Sequence, residues 1–167
     1  MTGLRSQKGF TLTELLVVVS VVGLLLAAAL AVNRSGLQAY LTGSNRVEVQ
    51  QNARTALDRI AREIREASGI TTAGASSITF VAQDGVTAVT YRINANNLER
   101  NNVVVVGGVQ TLTFVYRDAR DITGATAANT RRINITVRTQ TEEALPSGSS
   151  ANTRYEVTSS VRLRNAL

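Results

Sequence analysis

The sequence predicts an α+β chain: one long N-terminal helix, apolar at first and then amphipathic, packed on an antiparallel β-sheet. Three observations predict it. Phe10 to Val32 is a largely apolar run with a single charge, Glu14. Ala53, Ala56, Leu57, Ile60, Ala61, Ile64 and Ala67 recur at three- and four-residue steps, the period of one helix face. Beyond Gly69 that period gives way to short alternating segments rich in Val, Thr and Ile, separated by Gly, Asn and Asp.

Residues 1–9 form a leader rather than a structural element, with Arg5 and Lys8 as its only charges. Residues 10–32 then form a membrane-length helix. At about 1.5 Å per residue, about 23 residues span about 34 Å, enough to cross a hydrocarbon core of about 30 Å. The basic leader places the N-terminus on the cytoplasmic side. Within this run Glu14 stands out. Insertion scales put an acidic residue at the centre of a membrane helix at roughly +2.5 to +3.5 kcal/mol, so a carboxylate kept there is a functional candidate. No basic residue lies between Lys8 and Arg34 to pair with it, so its partner has to come from elsewhere. Of two rival readings, the first leaves Glu14 unexplained. It is a secretory signal cut after Ala29-Leu30-Ala31, whose apolar core would exceed the usual length of about 7–15 residues. The other is an uncleaved single-span anchor.

Residues 33–69 continue the helix outside the membrane. Asn33-Arg34-Ser35-Gly36 and Thr42-Gly43-Ser44-Asn45 are weak helix formers and predict loosening there. The alanine- and isoleucine-rich stripe from Ala53 to Ala67 faces the sheet. Asp58 with Arg62, and Arg62 with Glu66, are spaced to pair along the opposite face. Gly69 reads as a helix stop.

Residues 70–167 form a β-rich globular domain. Strands are predicted over 77–82, 86–93, 98–100, 103–106, 109–117, 132–139 and 154–164. Asp84-Gly85 and the segment 94–97 supply turns, and 118–130 and 140–153 are loops. In the strand over 109–117, simple alternation puts Val109, Thr111, Thr113 and Val115 on one face and Leu112, Phe114 and Tyr116 on the other.

Composition excludes much chemistry. The 167 residues contain no Cys and no His, which removes disulfides, thiolate nucleophiles, the commonest general base and the commonest metal ligand. No Gly-x-Ser-x-Gly elbow is present, and Gly107-Gly108 is not followed by the Lys-Ser/Thr of a phosphate loop. Asp118 and Asp121 flank Ala119-Arg120, but calcium takes six to eight oxygens, so this pair reads as turn-forming, solvated Asp. Glu142-Glu143 reads as an exposed loop pair. The chain is not an enzyme by this reading and needs no cofactor. The formal charge is +6, and loss of Arg5 and Lys8 with the leader leaves +4, all remaining basic residues being Arg. That permits contact with nucleic acid or anionic lipid without requiring either.

The order Lys8-Gly9-Phe10-Thr11-Leu12-Thr13-Glu14-Leu15-Leu16 resembles the processing site of type IV prepilins and pseudopilins. The resemblance implies a pilin-like fold. It also implies cleavage between Gly9 and Phe10 by a membrane prepilin peptidase, N-methylation of Phe10, and pairing of Glu14 with the Phe10 amine of a neighbouring subunit. Gln51-Asn52-Ala53-Arg54-Thr55-Ala56-Leu57, Ile64-Arg65-Glu66-Ala67, Leu112-Thr113-Phe114-Val115-Tyr116-Arg117 and Val161-Arg162-Leu163-Arg164-Asn165 are similar to PilW-type minor pilins and J-type pseudopilins of type II secretion. The chain departs from many members in lacking the C-terminal disulfide loop and a Pro within the membrane helix. The resemblance thus implies a minor pilin. It would sit in the inner membrane with its globular domain outside the cytoplasm, then enter a pilus through an inner-membrane assembly platform with other pilin subunits. The alternatives are a J-type pseudopilin and a competence pseudopilin whose Arg-bearing loops contact DNA.

Overall fold

In a computed structural model, residues 9–141 and 153–164 are described. The predicted leader up to Lys8, the Glu142-Glu143 pair and Pro146 therefore lie outside the described residues. Among the described residues one α-helix, α1 (Leu12–Glu66), precedes eight strands: β1 (Gly69–Ala73), β2 (Ile78–Val81), β3 (Ala88–Asn94), β4 (Asn97–Arg100), β5 (Val103–Val106), β6 (Val109–Arg117), β7 (Arg132–Gln140) and β8 (Arg154–Arg162). The chain divides into two compact units, Met1–Leu41 and Thr42–Leu167.

In the first unit α1 carries the apolar run, and its side chains are exposed, Leu12 and Leu24 at 81% and 72% among them. A helix apolar on every side and buried nowhere has the character of a membrane span. The backbone stays helical through Asn33-Arg34-Ser35-Gly36 and Thr42-Gly43-Ser44-Asn45, where composition predicts loosening. Once a helix is nucleated, each added residue gains a hydrogen bond, and strong formers on both sides offset a Gly cost of about 1 kcal/mol.

In the second unit the predicted stripe is buried. Ala53, Ala56, Ile60, Ile64 and Ala67 are fully inaccessible, Leu57 and Ala61 nearly so, and Val49 extends the stripe by one turn. It faces two sheets rather than the single predicted one. Strands β1 to β5 form an antiparallel meander, and β6 to β8 form a separate three-stranded antiparallel sheet. Phe80, Tyr91 and Leu98 of the first and Phe114, Ile133, Ile135 and Val161 of the second join the helix stripe in one hydrophobic cluster. Polar contacts fix the helix on both. The Thr139 hydroxyl of β7 donates to the Val49 carbonyl at 2.8 Å, and Arg100 of β4 reaches Glu63 at 2.9 Å. Between the sheets, the Tyr116 hydroxyl donates to the Gly74 carbonyl at 2.8 Å, and Val109 N–H donates to the Asn96 carbonyl at 2.8 Å.

Several predicted details are corrected. The helix ends at Glu66, and Gly69 opens β1, a strand that sequence pattern does not predict. β1 is short, with no residue fully buried, so it lacks the alternation that marks a strand. The predicted pairs of Arg62 with Asp58 and Glu66 do not form. Glu63 is used instead, by Arg59 at 3.7 Å and by Arg100, because the strand beside it supplies a better-placed guanidinium. In β6, a register shift between Val109 and Thr111 breaks the alternation. The shift puts Val109 on the buried side with Leu112, Phe114 and Tyr116. The two-residue hairpins at Ala95-Asn96 and Asn101-Asn102 have positive φ at both positions, the geometry that matches the twist of the flanking strands. Asp84-Gly85 turns the chain between β2 and β3 as predicted, although β3 begins at Ala88, two residues later than predicted. Asp84 Oδ1 accepts from the backbone N–H groups of Val86 and Thr87, and Gly85 takes φ +73°.

Core and pH dependence can both be tested. Ile60→Asp buries a charge where no cation waits, so chemical denaturation of the chain in uncharged detergent is expected to show a loss of about 3–5 kcal/mol. Retention of the parent's midpoint would show that the stripe is not core. Glu99, almost inaccessible, accepts from Asn94 Nδ2 at 2.9 Å and Arg92 Nε at 3.0 Å. Those two hydrogen bonds, Asn94's first, hold its carboxyl below the ordinary value of 4.5. Its contribution to stability is therefore present above about pH 4.5 and is lost as pH falls through the lowered folded value. Stability measured from pH 7 to pH 3 is expected to fall less steeply for Glu99→Gln than for the parent.

Candidate functional site

The first turn of α1 is built by Thr11. Its hydroxyl accepts from Glu14 N–H at 3.3 Å and lies 3.1 Å from the Thr13 hydroxyl, while Leu15 N–H donates to the Thr11 carbonyl at 3.2 Å. Thr11 is thus the N-cap, a role worth about 1 kcal/mol, and Glu14 is the third helical residue. A carboxylate there faces the positive end of the helix dipole, which favours it by about 0.3–1 kcal/mol. The Thr-x-x-Glu spacing is also that of a capping box, but only half of the box forms. The Glu14 side chain makes no hydrogen bond or ion pair among the described residues. Its carboxylate is exposed and open to a partner from outside.

Gly9 and Phe10 precede the cap, outside the helix. Phe10 is 81% exposed. A Cβ built on Gly9 meets nothing within 4 Å, and its backbone is not in the left-handed region. This fold does not require glycine at position 9. The three predicted site residues therefore lie together at one helix start, with Gly9 and Phe10 both exposed.

In the globular unit the pair Asp118 and Asp121 shapes a turn. Asp118 Oδ1 accepts from the backbone N–H groups of Arg120 and Ile122 at 2.8 and 2.9 Å. Asp121 is not merely solvated. It pairs with Arg132 at 3.0 Å and Arg117 at 3.5 Å. Among the described residues no three of Asp, Glu, His or Cys converge as metal ligands.

Sequence pattern also gives no sign of a cleft of about 740 Å³ beside this turn. Arg65 from the last turn of α1, Arg131 and Arg132 at the start of β7, and Arg162 and Arg164 at the end of β8 line it with the two Asp. No run of basic residues announces it, because strand pairing assembles it. Arg117 of β6 faces Arg132 of β7, which faces Arg162 of β8.

Comparison with known proteins bears on the N-terminal site and on the fold. Residues 4–30 match the family model of the prokaryotic N-terminal methylation motif. The fold is similar to that of a type IV-like pilin from Thermus thermophilus. The TM-score is 0.50 at 12% identity, over 71% of this chain and 98% of that one. The chain carries an N-terminal methylation motif on a type IV pilin-like fold. No curated protein matches it. The motif implies processing by a prepilin peptidase, and the exposed apolar helix is consistent with membrane anchoring.

A single substitution at Gly9 separates fold from processing. Gly9→Leu is expected to leave thermal unfolding unchanged, since the added side chain meets only open space. The same change is expected to block removal of the leader, because a peptidase must bind this peptide bond closely. Intact-mass analysis of the membrane-extracted chain reads the processing. The parent should begin at Phe10 with one added methyl group, and the variant should keep residues 1–9. A parent chain beginning at Val32 would instead assign the apolar run to a secretory signal.

Proposed function

We propose that this chain is a minor type IV pilin, a structural subunit that joins or primes a pilus filament. By this reading residues 1–9 are the leader, residues 10–32 the helix shared by membrane and filament core, residues 33–69 its amphipathic continuation and residues 70–167 the globular domain. A prepilin peptidase cuts between Gly9 and Phe10 and methylates the new amine. Before assembly the chain spans the inner membrane with its globular domain outside the cytoplasm. An inner-membrane platform then moves it into contact with other pilins.

One observation carries the reading. Glu14 is the single charge in an otherwise apolar, exposed helical run, and nothing among the described residues of its own chain pairs with its carboxylate. In an isolated subunit, water and headgroups near the end of the span solvate it. Among packed apolar helices the same carboxylate is costly unless it meets a cation. The Phe10 amine of an axially shifted neighbour supplies one. An α-amine titrates near pH 7.7–8 and N-methylation keeps its charge, so it is largely cationic at neutral pH. The pair then sets axial register, the best-attested use of a buried ion pair.

The test is an asymmetry. Glu14→Leu is expected to leave cleavage and membrane insertion intact while reducing recovery of partner pilins on pulldown by at least about tenfold, the loss that comes from removing one buried charged partner. Glu14→Asp, one methylene shorter, should fall between. Normal recovery by the Leu variant would remove Glu14 from the assembly contact.

A further inference from the structure

The arginine-lined cleft of the globular unit has no part in the processing site or in assembly through Glu14. We propose that it is an anion site for a phosphate group carried by a small molecule.

Strand register is the first ground. Arg117, Arg132 and Arg162 lie directly opposite one another across β6, β7 and β8. Like charges facing across strands destabilise a sheet. The same sheet avoids this elsewhere: Arg138 of β7 faces Glu156 of β8 and pairs with it at 2.7 Å. On the arginine rung, Asp121 bridges only Arg117 and Arg132. Arg162 has no carboxylate partner among the described residues, and neither have Arg164 and Arg65. A bound anion would relieve the repulsion that the described residues leave unrelieved.

Shape and donor chemistry specify the ligand. The cationic groups come from the end of α1, the start of β7 and the end of β8, and they converge on a concavity. A volume of about 740 Å³ lies in the range of small-molecule sites. A nucleic-acid strand is more often met by charge strung along a groove. Every cation here is a guanidinium, whose planar fork matches two phosphate oxygens at once. A carboxylate offers only two oxygens in one plane. A phosphate presents its oxygens in several directions, which suits guanidinium groups arriving from separate elements, as Arg65 from α1 and Arg162 with Arg164 from the end of β8 do here.

The test uses the whole chain in uncharged detergent with inorganic pyrophosphate as probe. Pyrophosphate is expected to raise the unfolding temperature, and sodium acetate at equal ionic strength is not. By calorimetric titration Arg162→Gln and Arg65→Gln should each weaken pyrophosphate binding about tenfold, the scale of one charge-assisted contact. Arg54→Gln, a charge-matched change on α1 outside the cleft, should bind like the parent. Without ligand, Arg162→Gln should melt no lower than the parent, because it removes a repulsive neighbour. Equal effects of acetate and pyrophosphate, or parental binding by both cleft variants, would overturn the proposal. So would binding of a single-stranded oligonucleotide that depends on Arg162 when pyrophosphate does not bind, since the cleft would then be part of a strand-binding surface.

Discussion

Burial of one narrow helix face beneath two sheets is the constraint on which the globular unit depends. Neither sheet covers itself. The meander β1 to β5 and the three strands β6 to β8 each present one apolar side, and both sides join one cluster with the residues from Ala56 to Ala67 at the end of α1 and just beyond it. On that face Ala53, Ala56, Ile60 and Ile64 are fully inaccessible, and Leu57 and Ala61 nearly so. With no cysteine in the chain, no disulfide supplements this packing. Buried hydrogen bonds set the register instead, with Thr139 reaching the helix carbonyl of Val49 and Tyr116 tying one sheet to the loop of the other.

What could be read from the sequence was what is local in the sequence. The helix stripe, the Asp84-Gly85 turn and the strand over 103–106 arise from short-range period and turn chemistry, and the structure places them as expected. The division into two sheets was not legible, because nothing in Gly107-Gly108 distinguishes a turn within a sheet from a passage between sheets. The shift in β6 was hidden for a similar reason. Val109 and Leu112 share a face only because an extra residue is accommodated opposite β7, and strict alternation cannot express that. Glu63 was passed over in favour of Asp58, Arg62 and Glu66 because helix spacing says nothing about a strand arriving alongside with Arg100.

The two sites divide along the same line. Gly9, Phe10 and Glu14 are close in sequence, so their juxtaposition needed only a helix start, and the matching family model also covers that short segment. The structure adds two absences to that motif. Gly9 has no packing duty, and Glu14 has no partner among the described residues of its own chain. The arginine cleft was invisible because Arg65, Arg132 and Arg162 are separated in sequence and are brought to one concavity only by the fold, Arg132 and Arg162 through strand register.

The two-sheet cover has a kinetic consequence for the helix beneath it. Val49 and Thr139, hydrogen-bonded in the finished fold, are 90 residues apart in the chain. Strands β1 to β5 come directly after the helix and pair with their immediate neighbours, so half of the cover can form by local steps. The other half comes from β6 to β8, the last strands in the chain. Until they arrive, the stripe of α1 lies partly bare, and contacts of such long sequence separation form slowly because loop closure precedes any gain from packing. A chain emerging N-terminus first therefore passes through a stage in which its central helix is sticky on one side. Any factor that shields that side during emergence would raise the yield of folded protein without altering its final stability.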